Sequence, residues 1–336
     1  MNNNVIKEQD RNVDARINVL PPWGAFPAEQ YLIRHWSASS PLSAADQRHS
    51  LIRAFLDLDS FPQDWDATGR IHAPDNATAT ITRVPTQREV VEILAPWRPL
   101  RWREAALRLW RDRDDEEVWL RTHYGEGSDE IFADIRGIAE DNDPAFEECC
   151  RAWTVLDDRT VYAGDWATAL SVLPELTGPI SGRSAYSHRR LGDPKELEVL
   201  RGKLRESVAS ALCLAGQGND AEQLKVDDVE AGAAGMQLQA SVVASFLFVA
   251  DAEAFGTKML RLLFLDARGY IVRESRVPCT DTWEMRDGWN ARKFQDGNFW
   301  MDRDRSEWQQ VNEPGSVLGD QYGFSGVIGR ELYKLD

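Results

Sequence analysis

At 336 residues the chain is long enough for two ordinary domains or one large one. Hydrophobic residues make up 43% and charged residues 28%, a balance that buries a sizeable core and excludes extensive disorder. The formal net charge of −16 opposes nucleic-acid phosphate, whose binding is driven by releasing counterions against Lys and Arg, so direct nucleic-acid binding is not expected.

The same charge has two uses. It can keep the chain dispersed in water, or it can face a basic partner whose approach an opposite field accelerates. Cys149, Cys150, Cys213 and Cys279 do not form a disulfide framework in a chain of this length and fit reduced thiols. The opening Met1 to Asp10 lacks an apolar signal core. The longest apolar run, near Val242 to Ala250, is too short to span a bilayer. These features predict a cytoplasmic protein with no membrane association.

Residues 1–22 read as a flexible polar arm, with Trp23 and Phe26 laid on the body after Pro21-Pro22. Helix signals dominate 23–216. Ser43 with Asp46 opens a segment carrying Leu51, Ile52, Phe55 and Leu58. Thr86 and Glu89 make a capping box ahead of Val90, Val91, Ile93 and Leu94, with Pro96 as the stop. Trp102, Ala106, Leu109 and Trp110 follow at helical spacing, as do Ile131, Phe132, Ile135 and Ile138 after Ser128. Asp143-Pro144 predicts another helix start, and Asp165 one that Pro174 ends. The strongest helix runs from Pro194 to Ala215, with Leu197, Leu200, Leu204 and Leu212 on one stripe. A short strand is expected within Asn76 to Val84.

Residues 217–235, rich in Gly, Asp, Glu and Ala, read as a linker or long loop. Beyond it the period changes to two. Met236, Leu238, Ala240, Val242, Ala244, Phe246 and Phe248 alternate with Gln237, Gln239, Ser241 and Ser245, which predicts one long strand. Met259 to Leu265 and Tyr270 to Val277 flank Asp266-Ala267-Arg268-Gly269, a hairpin. Shorter strands are expected at Trp283 to Met285 and Phe299 to Met301. The predicted class is α+β: a mainly helical N-terminal region followed by an antiparallel β-sheet region over 236–336.

Local chemistry motifs are scarce. Asp302, Asp304, Ser306 and Glu313 have calcium-loop spacing, but Glu307 stands where the loop turn needs glycine, so no metal is predicted. The five histidines and four cysteines show no zinc spacing. No nucleophile elbow, phosphate loop or dinucleotide fingerprint is present, and no cofactor is predicted. Asp64/Asp66 and Asp157/Asp158 could do acid–base work, but turns and caps use such pairs more often. Arg183 and His188 have the Arg-x4-His spacing that HEPN-class ribonucleases carry on a helix. Here glycine and proline on both sides read as loop. Arg183, His188, Arg189 and Arg190 are therefore a candidate anion-binding spot.

Of the 13 tryptophans, Trp97, Trp102, Trp110 and Trp119 read as core. Trp289, Trp300 and Trp308 are interleaved with Arg292 and Arg303, the residue types of a protein interface. The leading functional expectation is a non-catalytic protein that binds another, basic protein, in its most concrete form a bacterial immunity or defence component. The alternatives are an enzyme acting on a nucleotide or nucleic acid through residues scattered in sequence, and a structural subunit of a larger assembly.

Overall fold

The computed structural model describes residues 20–58, 61–68, 81–112, 117–143, 154–177, 194–215, 233–290, 317–323 and 326–334. Its centre is a six-stranded sheet in the order β2-β1-β3-β4-β5-β6, comprising β1 (Val118–Arg121), β2 (Thr154–Leu156), β3 (Val243–Ala250), β4 (Met259–Asp266), β5 (Ile271–Pro278) and β6 (Val317–Leu318). β2, β1 and β3 run parallel, and β3 through β6 pair antiparallel. The α+β class therefore holds. Two short strands inside the mainly helical region extend the C-terminal sheet.

Both faces of the sheet are covered, as the run Val243–Ala250 requires, because a strand apolar at nearly every position must be buried on both sides. Against one face, which presents Leu120, Leu247, Val249, Leu263 and Leu265, pack helices α1 (Pro27–His35), α2 (Ala44–Leu56), α3, α4 (Leu100–Asp112), α6 (Arg159–Tyr162) and α7 (Thr168–Val172). The α3 stretch joins Gln87–Glu89, a π-helical turn Val90–Leu94, and Ala95–Trp97. Against the other face, with Trp119, Phe246, Phe248, Leu262 and Phe264, pack α5 (Ser128–Asn142), α8 (Pro194–Ala215), α9 (Ala233–Ala240), α11 (Thr282–Asn290) and α12 (Val327–Tyr333). α10 (Ala252–Thr257) links β3 to β4. No described helix is long and apolar enough to cross a membrane.

Local signals read from the sequence recur as geometry. The Ser43 hydroxyl accepts from the Asp46 amide at 3.1 Å, and Thr86 and Glu89 form the full capping box. Pro96 does not stop α3, which continues to Trp97. The Glu92 carbonyl, four residues earlier and deprived of its α-helical donor, accepts from Arg48 Nη1 at 3.2 Å, and the π turn absorbs the ring. The β4–β5 hairpin turns where expected, with Gly269 at φ +81°.

Three further expectations are corrected. The long strand over 236–248 begins only at Val243, because residues 233–240 form α9. Five alternating residues also fit a helix, and Ala, Met, Gln and Leu favour one. Gln239, placed by the alternation on a polar face, is fully buried. Its amide donates to Tyr333 Oη at 2.9 Å and its carbonyl accepts from Arg273. Trp283 to Met285 lies in α11, not in a strand. Within Asn76 to Val84, residues 81–84 are not strand, and 76–80 lie outside the described residues. The rest of the arm and linker, the helix after Asp143-Pro144 and the strand at Phe299 to Met301 also lie outside them.

Candidate functional site

β1 and β3 are neighbours, yet the chain leaves β1 through α5 to reach β2 on the far side. In open sheets a crevice forms where connections diverge in this way, beyond the carboxyl ends of parallel strands. A cleft of about 540 Å³ opens at the carboxyl ends of the other parallel pair, β1 and β2, and along α5, lined by Arg121, Tyr124, Ser128, Asp129, Arg136, Asp157 and Arg159 among others and by no residue of β3.

Arg121 ends β1 and forms the floor. Its side chain is 3% exposed. Nε donates to the His123 carbonyl at 2.9 Å, and Nη2 donates to Ser128 Oγ and Asp129 Oδ1, both at 2.6 Å. Nη1 reaches Asp157 Oδ2 at 3.4 Å. The rings of Tyr124 and Phe132 lie 4.6 and 5.2 Å from the guanidinium carbon. A buried charge needs such compensation.

The loop after β1 sets this geometry. Gly127, at φ +69°, stands at the N-cap of α5, a conformation that L side chains disfavour. The Ser128 hydroxyl then donates back to the Gly125 carbonyl at 2.6 Å. Tyr124 Oη donates to the Arg121 carbonyl at 3.0 Å. Burial first, then the neighbouring Asp157, pushes the Tyr124 phenol above its ordinary range, so it acts as a neutral donor.

The Asp157/Asp158 pair divides its work. Asp158 caps α6 through the Thr160 amide at 2.9 Å and pairs with Arg101, and those bonds hold its carboxyl below the usual range against a desolvation that raises it. Asp157 joins the cleft. Asp129 is bonded to Arg121, yet 90% of its side chain remains open to solvent. Glu126 and Glu130 are exposed on the same turn. Arg136 lies along the wall and pairs with Glu140 at 3.3 Å. Chemically, the cleft presents two carboxylates, Asp129 and Asp157, around the engaged Arg121 guanidinium, with Arg136 on its wall and the exposed Arg159 beside Asp157 in sequence.

A second charge cluster is buried at the opposite end of β1. Arg286 on α11 donates to Asp143, and Glu117 lies 3.7 Å from the same guanidinium while accepting from Trp119 Nε1 at 2.6 Å. Loss of solvent raises the Glu117 carboxyl to about 7, against the lowering effect of Trp119 and Arg286. This cluster lies in the interior and offers no opening to a ligand.

Among the residues singled out from sequence, Trp97, Trp102, Trp110 and Trp119 are buried, as core residues should be. Asp66 accepts from the Thr68 amide at 3.0 Å and from Trp110 Nε1 at 3.1 Å, a turn and packing role. Trp289 falls on the backbone of α11. Arg292, Trp300, Arg303 and Trp308, and likewise Arg183, His188, Arg189 and Arg190, lie outside the described residues. Arg121 and Asp129 were not singled out. Their signal was Gly125-x-Gly127-Ser128 between the short apolar run Val118-Trp119-Leu120 and a helix, which is weak without knowing that Val118–Arg121 is a strand.

The chain matches no family model, no curated protein and no solved structure.

Proposed function

We propose that the protein is a non-catalytic binding protein that engages a basic partner protein over the exposed acids of the α5 turn, Glu126, Asp129 and Glu130, at the rim of the β1–β2 cleft. The observation that carries this reading is the state of Asp129. Its carboxylate is fixed in place by Arg121 yet 90% exposed, so a partner's Lys or Arg meets an oriented charge. Asp134 and Glu253, with side chains 57% and 55% exposed, extend the acidic surface, each already holding one cation of its own chain. The net charge of −16 supports the reading by adding a long-range field that speeds encounter. An immunity or defence component is the concrete form of this proposal, supported by that charge.

The rival reading, an enzyme acting on a nucleotide, is favoured by the cleft's position at the ends of parallel strands. Against it, two carboxylates and Ser128 occupy Arg121, the buried guanidinium at the cleft floor.

The test is capture of the partner from the native host by the full chain, followed by association kinetics across salt. Association should slow steeply with ionic strength, since exposed charges are screened beyond about 8–10 Å, and Asp129→Lys with Glu130→Lys should slow it further. Salt-independent association, or an unchanged rate in the double variant, would remove this surface from the interface.

A further inference from the structure

Among the described residues, the helical layer on the first face of the sheet leaves an opening beside β5. A β-bulge between Ile271 and Arg273 puts Ile271 and Glu274 of β5 on the same side, opposite Leu265 and Leu263 of β4, where Arg261 also lies. α2 and α7 form the walls beside them, and the segment from Val317 to Gln321 closes one end. The result is a cleft of about 570 Å³, within the size range of small-molecule sites. It is separate from the β1–β2 cleft and shares no lining residue with it.

Its floor is apolar, made by Ile52, Leu56, Leu170 and Ile271, and two partly buried aromatics, Trp166 and Tyr270, rise beside it. The polar groups divide by chemistry. Glu274 is already taken by Arg261. Arg53 donates to Asp57 at 2.7 Å and to the Arg268 carbonyl at 2.6 Å, and its guanidinium carbon lies 4.8 Å from the centre of the Tyr270 ring. That contact sets the guanidinium against the ring. The Trp166 indole N–H and the Tyr270 hydroxyl have no hydrogen-bond partner among the described residues. An indole can only donate. Asp320, the lining carboxylate not engaged by an arginine, lies at the exposed mouth. The interior thus offers flat apolar walls and spare donors, while its acceptor is occupied.

We infer that this cleft is a binding site for a planar aromatic carboxylate, its ring on the Ile52–Leu170–Ile271 floor between Trp166 and Tyr270. The carboxylate accepts from the Trp166 and Tyr270 donors on the side of Arg53 and Arg261. The ligand class follows from complementarity: an apolar plane matches the floor and an acceptor edge matches the unmatched donors.

The test uses 2-naphthoate on the full chain, followed by calorimetry and by displacement of the fluorescent aromatic sulfonate anilinonaphthalene sulfonate. One saturable site per chain is expected. Trp166→Ala should weaken it by at least about tenfold, and Tyr270→Phe, which keeps the ring and removes the donor, by several-fold. Should Trp166→Ala lose its native circular dichroism, Ser171→Phe, which fills the cleft from α7, is expected to abolish binding with the fold intact. Neutral 2-methylnaphthalene should bind more weakly than 2-naphthoate. The inference is overturned if 2-naphthoate does not saturate, if Tyr270→Phe and Ser171→Phe bind as well as the parent chain, or if the neutral hydrocarbon binds equally. Partner association at the acidic rim should be unaffected by these variants, so the two proposals fail separately.

Discussion

The guanidinium of Arg286 donates to both carboxylate oxygens of Asp143, at 2.6 and 2.8 Å, joining residues 143 positions apart in the chain. Both side chains are nearly inaccessible, at 4% and 1% exposed. The pair fixes the C-terminal end of α5 to α11, and so ties the early part of the chain to the late part. Breaking one partner of a buried pair strands the other charge, which costs about 3–5 kcal/mol. Asp143→Asn should lose that much stability in urea denaturation. A loss under about 1 kcal/mol would show that Glu117, 3.7 Å away, takes over the charge.

Glu117 gives a pH prediction with a definite sign. Its carboxyl is raised from 4.5 to about 7 in the folded protein, chiefly by burial. The folded state therefore holds the proton more tightly than the unfolded chain does. Stability from this group is full below about pH 4.5 and is lost as pH rises to about 7, by roughly 3 kcal/mol. Burial also raises Asp266 and Glu175, so the single site must be isolated by difference. Glu117→Gln cannot ionise. Its stability relative to the parent chain should rise by about 2–3 kcal/mol between pH 4.5 and 7.5, and a constant difference would return Glu117 to an ordinary carboxyl.

α8 tests the packing. Leu204 is 1% exposed and Val199, five residues earlier, is 58% exposed. Leu204→Ala should cost about 2–5 kcal/mol through lost burial and the cavity left behind. Val199→Ala should fall within about half a kcal/mol of the parent. Equal effects would mean that the helix is rotated about its axis.

Gly269 couples the β4–β5 turn to α7. Its φ is +81°, and a Cβ placed there would lie 2.6 Å from Leu170 Cδ1. Gly269→Ala should cost about 1–3 kcal/mol, from backbone strain and from that contact. In a Leu170→Ala background the contact is gone and the strain remains, so the cost should shrink without vanishing. An unchanged cost would assign the whole effect to φ.

Much of this architecture could be read from residues a few positions apart. The caps at Ser43 and Thr86, the Pro194 helix and the Asp266–Gly269 turn are local events, in which a side chain meets its own backbone or a glycine permits a positive φ. The core role of Trp97, Trp102, Trp110 and Trp119 was legible from their large apolar area, with helical spacing adding to it for the first three; Trp119 proved to lie in β1. The scarcity of phosphate, metal and nucleophile motifs narrowed the functional reading without naming a site.

Where the sequence was misread, distant contacts decided. Alternation over 236–240 suits helix and strand alike, and packing against α8 and α12 settled it by burying Gln239 between Tyr333 and Arg273. Val118–Arg121 is too short to show a period, and becomes a strand because β2 and β3 pair on its two sides. Neither candidate cleft could be read at all. Arg121 meets Asp157, and α2 meets β5, only once the chain has crossed the sheet. The sequence alone determined which segments could be helix, turn or buried strand, because those choices depend on near neighbours. The tertiary structure alone decided how the buried charges were neutralised, because pairs such as Arg121–Asp157 and Arg286–Asp143 join residues 36 and 143 positions apart.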